Sequence, residues 1–95
     1  MKPEDCILSF KSIHHVVKGE DLLRKKQFWT DMIPNPRGIT SDCGMSIKVH
    51  CADLGMIVSA LRDGGEPGFV AYRQKGSIYE KIEEGEMNGI AGEAD

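Results

Sequence analysis

Met45-Ser46-Ile47-Lys48-Val49-His50 has the clearest alternation in the chain, and the architecture hangs on it. Apolar Met45, Ile47 and Val49 alternate with polar Ser46, Lys48 and His50. Side chains two apart share one face of a strand, so this hexapeptide reads as a half-buried β-strand. Just before it runs Pro36-Arg37-Gly38-Ile39-Thr40-Ser41-Asp42-Cys43-Gly44, a polar, turn-rich loop that delivers one cysteine to the strand start. Just after it, Asp53 stands as a candidate N-cap. Leu54, Ile57, Val58 and Leu61 then fall at i, i+3, i+4 and i+7, the spacing of one helix face. Gly64-Gly65 ends that helix.

Working further outward, residues 28–33 predict a second strand, stopped at Pro34-Asn35-Pro36 because proline cannot sustain a ladder. Ser12 caps a helix over residues 13–27 with Val16, Leu22 and Leu23 as its apolar positions. Gly19 weakens that helix by about 1 kcal/mol relative to Ala and permits close packing. Cys6-Ile7-Leu8-Ser9-Phe10 predicts the first strand, with Cys6, Leu8 and Phe10 on one face. Residues 69–73 predict the fourth. Ser77 and Glu80 have capping-box spacing, which predicts a short third helix to about Glu84. The composition beyond Gly85 predicts disorder.

The order β-α-β-β-α-β predicts an α+β, ferredoxin-like fold: a four-stranded antiparallel sheet with two helices on one face. The predicted division is a domain over residues 1–75 and an acidic tail over residues 76–95. The tail carries six acids against Lys81. The other residues carry eleven bases and nine acids, so the body is +2 within a chain of net charge −3. That body is too weakly basic to predict a nucleic-acid partner. No apolar run approaches the roughly 18 residues of a membrane span. The charged Met1-Lys2-Pro3-Glu4-Asp5 start lacks the apolar run of a signal peptide, which predicts a cytoplasmic protein. Cysteines number three, an odd count without a CxxC pair, which reads as thiols rather than a disulfide framework.

Cys43 is the candidate reactive residue. Taking the first and third strands as parallel places Cys6 and Cys43 at one end of the sheet, with Arg24 and Lys25 from the end of the first helix. Arg37 lies in the loop itself. Cations favour the thiolate, the reactive form of cysteine, and would favour a persulfide or selenopersulfide anion equally. Arg37, Arg24 and Lys25 are the anion-stabilising candidates, Cys6 a candidate resolving thiol, and Gly44 a backbone-shaping residue. Two readings stay open for Cys43. It is either this reactive thiol or a small buried residue at the core rim, since it shares parity with Met45, Ile47 and Val49. The same strand directions collect His14, His15, His50 and Cys51 at the opposite end. Such a donor set suits zinc or another transition metal, although adjacent helical histidines point apart.

Leu8-Ser9-Phe10-Lys11-Ser12-Ile13-His14-His15, Glu20-Asp21-Leu22-Leu23 and the Pro36–Gly44 loop together resemble a family of small bacterial proteins, the selenium/sulfur carrier protein-like family. The resemblance covers about residues 6–74. It implies a ferredoxin-like sulfur or selenium carrier with Cys43 as the carrying thiol, working between donor and acceptor enzymes.

A carrier that takes up sulfane sulfur or reduced selenium on Cys43 and passes it on is therefore the expected function. It transfers a bound intermediate rather than turning over a free substrate, and no cofactor is expected. The rival is a non-catalytic ligand-binding or interaction module, dimeric through a second-strand edge bearing Phe28, Trp29 and Met32. A metal-binding protein using His14 or His15, His50 and Cys51 is the third reading.

Overall fold

The computed structural model describes residues 4–39, 44–65 and 68–82. The elements are β1 (Asp5–Ser9), α1 (Ile13–Lys25), β2 (Asp31–Pro34), β3 (Met45–His50), a 3₁₀ turn (Cys51–Asp53), α2 (Leu54–Asp63), β4 (Val70–Lys75) and β5 (Ile78–Lys81). They form a small α+β fold, with two helices and one antiparallel sheet of order β2-β3-β1-β4-β5.

The sheet has five strands, not four. Residues 78–81 form β5, where a short helix was expected. Gly76 at φ 62° and Ser77 make a two-residue connection that folds β5 back on β4, with Lys75 opposite Ile78. A glycine at positive φ is the usual device for so tight a reversal. The fold therefore runs past Lys75. The Ile82 N–H donates to the Ala71 carbonyl (2.8 Å), and its side chain is buried in the core. Residues 83–95, which include the stretch beyond Gly85 expected to be disordered, lie outside the described residues.

The direction of β3 is a second correction. β1 and β3 pair antiparallel, Cys6 opposite Val49 and Ser9 opposite Ser46. The cause is topological. A helical crossover returns β2 parallel to β1, and the β2–β3 connection then reverses the chain. β3 must run against β1.

Alternation predicts the buried face correctly. Cys6, Leu8, Ile47, Val49 and Ala71 from the sheet join Val16 and Leu23 of α1 and Leu54, Ile57, Val58 and Leu61 of α2 in one core. Both helices thus cover the same face. Each large aliphatic side chain fully buried there contributes about 1.5–3 kcal/mol. Gly19 lets α1 approach, because a Cβ there would sit 3.0 Å from Phe10 Cζ. On the other face Ile7 is fully buried between Lys48 and Tyr72 in register.

Element ends differ from expectation for local reasons. Ser12 caps α1, accepting from the His15 N–H at 3.4 Å. The helix stops at Lys25 because Gln27 turns left-handed, φ 66°. The Phe28 N–H then donates to the Leu23 carbonyl (3.0 Å) and the Gln27 N–H to the Arg24 carbonyl (2.9 Å). This is a Schellman closure. Phe28 packs against the core instead of starting β2. β2 is an edge strand, so it tolerates Pro34 at its end. Asp53 makes no side-chain capping bond; α2 is entered through the 3₁₀ turn. No helix among the described residues is long and apolar enough to cross a membrane.

Candidate functional site

β3 spans about 17 Å at the usual strand rise, and its two ends are built differently. The amino-terminal end carries the loop that began as the candidate site. Its base is clasped by two hydrogen bonds. The Asn35 N–H donates to the Gly44 carbonyl (3.0 Å), and the Ser46 hydroxyl donates to Asn35 Oδ1 (2.6 Å). Ser46 is fully buried and Asn35 half-buried, so the second bond is partly shielded from water. Ile39 anchors the loop's outer part, buried at 3% exposure, with its N–H donating to the Pro36 carbonyl (3.1 Å).

Gly44 adopts φ 73° with open space where a Cβ would stand. Backbone conformation, not crowding, calls for glycine there. Arg37 is exposed on the loop. Cys43 and residues 40–42 lie outside the described residues.

The carboxy-terminal end holds a covalent link. Cys6 and Cys51 form a disulfide, with Cα atoms 5.0 Å apart and a sequence separation of 45. This overturns the reading of all three cysteines as thiols and removes Cys6 as a resolving partner for Cys43. The ladder brings the pair together. Cys6 lies opposite Val49, and two steps further along the chain the Cys51 N–H donates to the Glu4 carbonyl (3.0 Å). Cys6 is fully buried, whereas Cys51 is half-buried.

Charged and aromatic groups surround this link. His50 stacks on Trp29, ring centroids 4.4 Å apart and planes within 14°. His50 Nδ1 lies 3.6 Å from Asp5 Oδ1, and Arg73 Nε lies 3.6 Å from Glu4 Oε2. Both nitrogens are buried, and among the described residues neither has a hydrogen-bond partner.

The antiparallel β1–β3 pairing also separates groups expected to meet. Arg24 and Lys25 end α1 at the level where β1 begins, the disulfide end, whereas Gly44 lies at the other. Both bases are engaged within the helix, Lys25 with Asp21 at 2.9 Å and Arg24 with Glu20 at 3.9 Å. A basic end assembled around the Cys43 loop from α1 is therefore not formed. The proposed metal set is split in the same way. His14 and His15 open α1, which follows the end of β1, while His50 and Cys51 close β3 at the far end. Cys51 is also spent in the disulfide. Among the described residues no group of three or more His, Cys, Asp or Glu side chains is placed to hold a metal ion. The expected dimer edge is changed too, because Phe28 and Met32 pack inward and Trp29 lies on His50.

A family model described as "Putative Se/S carrier protein-like" matches residues 5–67, more than half of the 95-residue chain. The chain belongs to this family. The region it shares with the Se/S carrier-like family runs from β1 through α2 and contains all three cysteines and the clasped loop. β4 and β5 lie beyond the match. Among curated proteins and among solved structures, no match to the chain is found.

Sequence reading missed three parts of this site: the disulfide, the Asn35–Ser46 clasp and the Trp29–His50 stack. A signal for the first was present. Cys6 and Cys51 both follow core parity, and antiparallel pairing of their strands places them as neighbours.

Proposed function

We propose that this chain carries sulfur or reduced selenium on Cys43, as a persulfide or selenopersulfide, between a donor and an acceptor protein. One observation carries the reading within a family described as Se/S carrier-like. Cys6 and Cys51 are joined to each other, so neither is available to pair with Cys43, the third cysteine. The Cys43 thiolate attacks the outer sulfur of a donor persulfide. A new S–S bond forms at Cys43, the donor's S–S bond breaks, and the donor leaves as a thiolate. An acceptor thiolate removes the same outer sulfur by the reverse process. Arg37, exposed on the same loop, supplies a forked and permanently charged donor to the anion. Arg24 and Lys25 have no part in this step.

We read the fold as ferredoxin-like, with β5 added beside β4. What supports this is the β4-β1-β3-β2 order with two helices on one face, the outcome of a split β-α-β pattern.

Intact mass after incubation with a persulfide donor tests the function. One added sulfur is expected on the native chain and none on Cys43→Ala. A native chain that gains no sulfur while Cys43 still reacts with iodoacetamide would overturn the carrier reading.

A further inference from the structure

We propose that Cys6 and Cys51 form a second, separate redox site, a dithiol–disulfide pair that exchanges with a dithiol reductant through Cys51. Three observations lead to it. The two cysteines differ in access: Cys51 is half-buried and Cys6 fully buried. Cys51 is therefore the more accessible side of the bond, and an incoming thiolate is expected to attack there rather than at the fully buried Cys6.

Arg73 stands directly opposite Cys6 on β4 and on the same face of the sheet. Side chains so paired have Cβ atoms about 5 Å apart. Its Nε is buried, 3.6 Å from the nearest Glu4 oxygen, and without a hydrogen-bond partner among the described residues. The ion pair with Glu4 is too long for a hydrogen bond, so this buried nitrogen keeps a donor to spare, and an anion appearing on Cys6 would engage it. Finally, the pair lies at the opposite end of β3 from Gly44, so it is distinct from the carrier loop.

The exchange balances as follows. A thiolate of the reductant attacks Cys51 Sγ. The Cys6–Cys51 bond breaks, a mixed disulfide forms on Cys51, and the bonding pair goes to Cys6 as a thiolate beside Arg73. The reductant's second thiol attacks its own sulfur in that mixed disulfide, expelling the Cys51 thiolate. The two thiol protons pass to Cys6 and Cys51. The protein gains two electrons and two protons, and the dithiol becomes a disulfide.

The test uses the full chain carrying Cys43→Ala, so the outcome does not depend on the carrier reading. Folded protein is treated with dithiothreitol, and released thiols are counted by alkylation and mass. Two thiols per chain are expected, with circular dichroism unchanged. In the same background, Cys6→Ser leaves a Cys51 that couples quickly to an aromatic disulfide reagent. Cys51→Ser leaves a Cys6 that couples at least about tenfold more slowly, following its burial. Arg73→Gln slows reduction by dithiothreitol about tenfold, and Arg73→Lys restores part of the rate. Reduction that keeps pace with global unfolding in urea, with no dependence on residue 73, overturns the proposal and leaves a purely structural bond. Faster coupling at Cys6 than at Cys51 overturns it as well.

Discussion

The two ends of β3 hold cysteine chemistry in opposite ways. At the carboxy-terminal end the chain is locked by a covalent bond, set among a stacked ring pair and two buried nitrogens that face carboxylates at 3.6 Å without hydrogen bonds. At the amino-terminal end the loop bearing Cys43 is closed by two hydrogen bonds, Asn35 to Gly44 and Ser46 to Asn35. A disulfide constrains the unfolded chain as well as the folded one. Hydrogen bonds of this kind are each worth about 1 kcal/mol net. One end is therefore suited to holding the fold and the other to presenting a group. Three cysteines in one small domain thus need not share a role.

The largest expected effect tests this division directly. Replacing Cys6 and Cys51 together by Ala opens a link between residues 45 apart. The chain-entropy estimate for a loop of that length is about 4 kcal/mol, a large part of the stability of a domain this size. Cys43→Ala should change stability by no more than about 0.5 kcal/mol yet abolish sulfur loading. Urea unfolding of the two variants separates them. Equal shifts in midpoint would erase the contrast between the ends.

Ser46→Ala sharpens the comparison from the other side. It removes the donor of the 2.6 Å bond to Asn35 at a fully buried position, at a cost of about 1 kcal/mol. The loop clasp loosens, so Cys43 should alkylate several-fold faster while the Cys6–Cys51 bond is reduced at its native rate. An unchanged alkylation rate would show that the clasp does not govern the loop. Trp29→Ala is the mirror experiment. Losing the stack on His50 should cost roughly 0.5–1 kcal/mol. It should speed reduction at the disulfide end and leave Cys43 untouched. A rate change at Cys43 would mean that the two ends are coupled through β3.

Most elements and the buried face were legible in the residues, whereas the division between the two ends was not, and that has a specific cause. The period of two in Met45–His50 and the i, i+3, i+4, i+7 spacing from Leu54 to Leu61 identify elements because burial acts on side chains one face at a time. Ser12 as a cap and Gly19 as a packing position follow from equally local chemistry. Strand direction is not local. Reading β1 and β3 as parallel moved Cys6 beside the Cys43 loop, brought Arg24 and Lys25 with it, and gathered His14, His15, His50 and Cys51 into a metal set. One reversal at the β2–β3 connection undoes all three placements and sets Cys6 next to Cys51. β5 was missed for a different reason. Ser77 and Glu80 carry a capping-box spacing, but Gly76 turns the chain before a helix can nucleate, and Ile78 and Tyr79 suit a strand.

The smallest effect concerns the frame of the disulfide end. Gln27 holds a left-handed conformation, φ 66°, to close α1. A side chain costs about 1–2 kcal/mol there, and glycine would relieve it. Glycine also loosens the unfolded chain, which returns about 0.4–1 kcal/mol of that gain. Gln27→Gly should therefore raise stability by about 0.5 kcal/mol, read as a higher urea midpoint with the slope unchanged. Because the Schellman bonds from Gln27 and Phe28 survive the change, the disulfide should be reduced at its native rate. A gain in stability accompanied by slower reduction would show that fraying at the end of α1 opens the way to Cys51. The disulfide end would then owe part of its reactivity to a strained residue 24 positions before it in the chain.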